Sequence, residues 1–83
     1  MNKPKPGKVI VSLDTRMRRG KEVTIVEGLR HHPQGIEEIG TALKRMLGAG
    51  GTVKDGRIEI QGDHRDKVCQ KLTAMGYNTE KRG

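Results

Sequence analysis

The sequence predicts an α+β fold, a two-layer sandwich with both helices on one face of a mixed or antiparallel sheet. The expected order is strand, strand, helix, strand, strand, helix and a short last strand. Three observations carry this. Short apolar, β-branched segments of strand length occur at Val9–Leu13 and Val23–Val26, and Ile58 and Ile60 alternate with polar residues along Arg57–Gln61. Two other segments repeat their apolar residues every three or four positions. A two-residue Asp55-Gly56 loop joins two strand-like arms and is followed almost at once by a helix start. Two helices can cover only one face of a four- or five-stranded sheet, which leads to the two-layer arrangement.

The elements follow in order. Residues 1–7 (MNKPKPG) read as an extended, flexible basic lead-in, and residues 8–83 as one domain. Lys8 to Asp14 is the first expected strand, with Val9, Val11 and Leu13 on one face and Ile10 and Ser12 on the other. Lys21 to Glu27 is the second, with Val23 and Ile25 opposed to Thr24 and Val26. Between them the polar run Thr15-Arg16-Met17-Arg18-Arg19-Gly20 makes the tip of a long hairpin.

After the connection Gly28–Gln34, a helix is expected from Gln34 to Leu47. Ile36, Ile39, Leu43, Met46 and Leu47 form its apolar stripe, and Pro33 suits its first turn. Glu37 and Glu38 early, with Lys44 and Arg45 late, would complement the helix dipole. Gly48, Gly50 and Gly51 end it. Thr52-Val53-Lys54 and Arg57–Gln61 then form the arms of the Asp55-Gly56 hairpin, with Ile58 and Ile60 facing inward. Asp63 is the expected N-cap of a second helix from His64 to Met75, whose inward residues are Val68, Leu72 and Met75 beside Cys69. Gly76 takes the left-handed position after it, and Tyr77–Thr79 can supply the last strand.

Size and composition narrow the function. A chain of 83 residues makes one small domain whose core is aliphatic, because it has no Phe or Trp and one Tyr. An enclosed substrate pocket would compete with that core, which counts against an ordinary small-molecule enzyme. Seventeen Lys and Arg against ten Asp and Glu leave a formal charge of +7, pointing to a polyanionic partner. A lone cysteine fits a reducing compartment. No signal peptide or apolar run near the ~20 residues of a membrane span is visible, so the expected setting is cytoplasmic, with no membrane partner.

The best candidate site is the first hairpin's tip. Arg16, Arg18, Arg19 and Lys21 place four positive charges within six positions. They repel one another until something anionic neutralises them, and such side chains on a β-ribbon suit RNA phosphates. Met17 could lie against a base or sugar. A scarcity of aromatics argues against an open sheet that stacks single-stranded bases. The other candidates read as structure. His31, His32, His64 and Cys69 lack the paired spacing of a zinc site, so no metal or other cofactor is expected. Asp63, Arg65 and Asp66 suit a helix start better than acid–base chemistry, and no nucleophile–base pair is recognisable.

The segment Gly51–Arg65, GTVKDGRIEIQGDHR, resembles the signature of the translation initiation factor one family of eukaryotes and archaea, including its bacterial YciH-type relatives. The core of that signature is GGTVKDG.IEIQGD.R. Upstream, Val23–Leu29 (VTIVEGL) resembles the family's second strand and its closing Gly-Leu. The resemblance covers about Val9 to Tyr77. It implies a two-helix, one-sheet fold and binding to the small ribosomal subunit near the P site, where the family polices start-codon and initiator-tRNA selection. It implies RNA contact by Arg16, Arg18, Arg19, Gly20 and Lys21, the cluster that charge alone selects. It also implies an approach to initiator tRNA by the second hairpin, through Lys54, Asp55 and Arg57. The loop departs from the family pattern, reading Arg19-Gly20-Lys21 where Gly-Arg-Lys is common. The short lead-in resembles bacterial or archaeal members more than the long-tailed eukaryotic ones.

The expectation is a monomeric, non-enzymatic protein whose partners are small-subunit ribosomal RNA, with initiator tRNA and other initiation factors as further candidates. The alternatives are a general RNA-binding or stress-related translation modulator without a start-codon role, and a module that docks on another factor through a helix face.

Overall fold

The three apolar segments of strand length become strands, and the two segments with helical spacing become helices. The computed structural model describes residues 8–16, 21–30 and 32–82. The order is β1 (Val9–Asp14), β2 (Val23–Glu27), α1 (Pro33–Leu47), β3 (Gly51–Lys54), β4 (Arg57–Gln61), α2 (Arg65–Ala74) and β5 (Thr79–Lys81). The five strands form one open mixed sheet in the order β3-β4-β2-β1-β5. All pairings are antiparallel except that of β5 with β1. The expected lead-in, residues 1–7, lies outside the described residues, as do Met17, Arg18, Arg19, Gly20 and His31.

Register decides which face of each strand is inside. Val11 lies opposite Val26, Val26 opposite Ile58, and Thr24 opposite Ile60, so these residues share a face. The same face receives α1 and α2, whose Ile36, Ile39, Leu43, Val68 and Leu72 complete one apolar core with Val9, Val11, Val26, Ile58, Ile60 and Tyr77. Burying so much aliphatic surface at about 25 cal/mol per Å² is the main stabilising contribution. Val23 and Ile25 point to the opposite, open face, where Ile25 sits between Ser12 and Glu59. They too are nearly buried, although both helices lie on the other side.

The structure corrects several boundaries. The first two strands are shorter than expected: Lys21 and Glu22 lie outside because the β1–β2 ladder ends at Asp14 with Val23, and Lys8 because β1 pairing begins at Val9 with Thr79. Helix α1 begins one residue early, with Pro33 in its first turn and His32 as an extended N-cap without a side-chain bond. Glu37 and Glu38 consequently fall beyond the first turn, and only Lys44 and Arg45 complement the dipole. In α2 the N-cap position belongs to His64 rather than Asp63, and Met75 is exposed rather than inward. The Asp63 carboxylate is claimed by Arg65: Nε donates to Oδ1 at 2.9 Å and an NH2 nitrogen to Oδ2 at 3.0 Å. Oδ1 also accepts the Arg65 backbone N–H, at a longer 3.4 Å, so the two-pronged, charge-assisted contact is the stronger of the two.

Glycine is required where backbones crowd. A Cβ on Gly51 would come within 2.3 Å of the Glu59 carbonyl oxygen, so β3 can sit against β4 there only without a side chain.

Candidate nucleic-acid interface

Topology sends the two candidate hairpins to opposite ends of the sheet. Strand β2 runs antiparallel to both β1 and β4, so the β1–β2 connection lies beside the Gln61 end of β4. The Asp55-Gly56 turn lies beside the other end of β2, next to Glu27. The sequence-selected residues therefore form two separate groups.

At the first end, Arg16 and Lys21 are exposed where the chain leaves β1 and returns towards β2. Arg16 is held lightly: its backbone N–H donates to Asp14 Oδ1 at 2.8 Å, while its guanidinium stays at 3.7 Å and its side chain is 91% exposed. Arg18, Arg19 and Gly20, expected at the same site, lie outside the described residues.

The return side of this connection is clasped to the corner between β4 and α2. Gly62 N–H donates to the Glu22 carbonyl at 2.8 Å, and Val23 bridges Gly62 in parallel. Thr24, fully buried, donates its hydroxyl to the Gly62 carbonyl at 2.6 Å and accepts the His64 backbone N–H at 2.9 Å. Both capacities of the hydroxyl are used, which makes its burial tolerable. Sequence reading assigned Thr24 to a strand face and missed this role. The partners stand 38 and 40 residues away, so no local pattern signals it.

The same end gathers cations that the sequence reading did not assign to an interface, and most are neutralised nearby. Arg65 pairs with Asp63 and also donates to the Arg82 carbonyl at 3.1 Å. Lys81 pairs with Asp66 at 2.6 Å and Arg82 with Glu80 at 2.7 Å. These contacts shift titrations in the expected directions. The Arg65 hydrogen bond holds the Asp63 carboxyl below its ordinary range, and Arg82 does the same for Glu80. Arg65 is correspondingly raised by Asp63. Among the described residues at this end, Lys21, Arg45 and Lys67 have no ion-pair partner.

At the other end, Lys54 and Asp55 are exposed on the turn. Arg57 is different: one NH2 nitrogen donates to Glu59 Oε2 at 3.0 Å and the other lies 3.7 Å from Glu27 Oε2. Arg57 thus bridges two carboxylates across β4 and β2, which leaves less of its charge for a phosphate. Among the described residues, no group of three or more His, Cys, Asp or Glu is arranged to hold a metal. No helix among them is long and apolar enough to cross a membrane.

The sequence profile of the family described as Translation initiation factor SUI1 matches residues 5–78. Among curated proteins, a protein translation factor SUI1 homolog of Sulfolobus acidocaldarius is 53% identical over 62 residues, covering 75% of this chain and 63% of the relative. The homolog of Pyrococcus horikoshii is 48% identical over 65 residues, 78% of this chain and 66% of the relative. That of Hyperthermus butylicus is 44% identical over 72 residues, 86% and 70%. The chain spans less than two thirds of the length of several such relatives, 63%, 62% and 59% in three archaeal cases.

Proposed function

The chain belongs to the translation initiation factor SUI1 family, and we propose that it is a non-enzymatic RNA-binding protein acting on the small ribosomal subunit during initiation. In this reading residues 8–83 act as one cytoplasmic, monomeric domain that binds near the P site and contributes to start-codon and initiator-tRNA selection. The observation that supports it most is the contrast in charge pairing at the β1–β2 end. Arg65, Lys81 and Arg82 are neutralised by neighbouring carboxylates, whereas the connection presents Arg16 and Lys21 outward from a clasped base. Arg18 and Arg19 belong to the same run. Phosphate oxygens are the natural partners of such a group. Lys54 and Asp55 form a second, separate contact at the opposite end, where initiator tRNA or another factor would lie. Arg57 serves mainly to hold the strands beneath them.

The test is binding of labelled protein to purified small subunits across a salt series, beside a variant with Arg16, Arg18, Arg19 and Lys21 changed to Ala. Saturable binding that resists competition by bulk RNA is expected. If four phosphates are neutralised, log K falls with log salt at a slope of about −3, and the variant abolishes that slope. Equal affinity for any structured RNA would leave a general RNA binder. Binding indifferent to the four substitutions would favour docking on another factor through a helix face.

A further inference from the structure

On the open face of the sheet, beside the clasp, lies a cavity of about 430 Å³ lined by Lys21, Glu22, Val23, Thr52, Glu59 and Gln61, with the backbone of Gly51 and Gly62. Its place matters first. Lys21 and Glu22 lie on the return side of the cationic connection and line the cavity, so the cavity adjoins that connection. Its size suits one nucleobase with its sugar and falls at the lower end of small-ligand sites.

Its chemistry divides along the same line. Lys21 supplies positive charge at the connection. Inside, Glu22 and Glu59 would repel a phosphate but accept hydrogen bonds from an amino group. Among the described residues only Arg57 reaches the Glu59 carboxylate, through Oε2, which orients it and leaves Oε1 for a ligand donor. Gln61 offers both a donor and an acceptor. Val23 gives the one apolar wall among the lining side chains. Stacking is not the means of capture here, because the single aromatic, Tyr77, is buried in the core on the other side.

We propose that this cavity holds one unpaired nucleobase bearing an exocyclic amino group, drawn from the RNA strand whose phosphates the β1–β2 connection grips. The inference rests on the RNA-binding reading above and adds a base preference to it. An edge read by a carboxylate and an amide discriminates against uracil, which has no amino group to donate.

The probe is a set of single-stranded heptauridylates in which the central base is replaced by cytosine, guanine or fluorescent 2-aminopurine. Wild-type protein is expected to bind the amino-bearing oligomers roughly tenfold more tightly than all-uridine, with a change in 2-aminopurine emission on binding. Glu59→Gln and Gln61→Ala should each erase the preference while leaving all-uridine binding and its salt slope unchanged. Gln61 is exposed, so its variant keeps the test valid if Glu59→Gln fails to fold. Equal binding of all oligomers by the wild-type protein would overturn the pocket and spare the RNA-binding reading. No binding to any oligomer or to small subunits would remove both. A preference that survives both substitutions would also overturn the assignment.

Discussion

The two hairpins of this domain are built on opposite principles. The β3–β4 turn has two residues, Asp55 at φ 53° and Gly56 at φ 76°, the positive angles a two-residue type I′ loop needs. Its conformation is set by its own residues, and below it Arg57 ties Glu27 to Glu59. The β1–β2 connection is long and cationic, and Gly20 permits a turn there without selecting its type. What holds its return side is remote: the clasp of Glu22, Val23 and Thr24 to Gly62 and His64. One hairpin is specified by local backbone preference and serves stability. The other carries the candidate charges, and its return side is positioned by tertiary contacts.

The largest effect that would break this contrast is in the arm of the short hairpin. Ile60 is fully buried and packs in the core beneath both helices. Ile60→Asp places a carboxylate there without a partner, a penalty that with lost packing exceeds about 4 kcal/mol, comparable to the whole stability of so small a domain. Loss of the far-ultraviolet circular dichroism spectrum at 25 °C is expected. A cooperative melt near that of the wild type would show that the assigned face is wrong.

Thr24→Val comes next and tests the long connection's anchor. The shape is kept, but the Gly62 carbonyl and the His64 N–H lose their buried partner, at about 1–3 kcal/mol. A lower thermal midpoint and weaker small-subunit binding are expected together. A lowered midpoint with unchanged binding would separate the clasp from the interface.

These two residues also show what was legible in the sequence. The inward face of β4 was readable because Ile58 and Ile60 alternate with polar residues and adjoin an Asp-Gly turn. In β2, by contrast, Val23, Thr24, Ile25 and Val26 are all buried, and alternation of apolar residues could not say which pair meets the helices. A threonine turned out to face the core and a valine and isoleucine the open side, because register, not hydrophobicity, decides it. The candidate site was legible in part. Charge spacing singled out Arg16 and Lys21 as candidates, and both are exposed, but the distance between the two hairpins and the pairing of Arg57 emerge only from strand order. The N-cap falls at His64 and not Asp63, whose carboxylate is engaged mainly by the guanidinium two positions on and only at 3.4 Å by that residue's backbone N–H.

A smaller effect comes from acid. Asp63 and Glu80 have folded-state values below their ordinary 3.8 and 4.5. Their contribution is therefore complete above those ordinary values and is lost as pH falls through the depressed ones. Thermal midpoints should decline below about pH 4, and the Asp63→Asn, Glu80→Gln double variant should flatten part of that decline. Both groups are solvent-accessible, so screening keeps the change small, and added salt should shrink it further. An undiminished decline in the double variant would assign acid sensitivity to other carboxylates.

The smallest expected change in stability sharpens the contrast most. Replacing Arg16, Arg18, Arg19 and Lys21 with Ala removes mutual repulsion and the weak tie of Arg16 to Asp14, two exposed effects of opposite sign. The clasp uses the backbone of Glu22 and the hydroxyl of Thr24, neither of which is altered. Stability should stay within about 0.5 kcal/mol of wild type by urea denaturation. Arg57→Ala at the other hairpin removes only one charge, yet it leaves Glu27 and Glu59 without their bridge and should cost more than all four. If the quadruple variant proved the less stable, the connection would be part of the fold's support, and the division of labour between the two hairpins would fail.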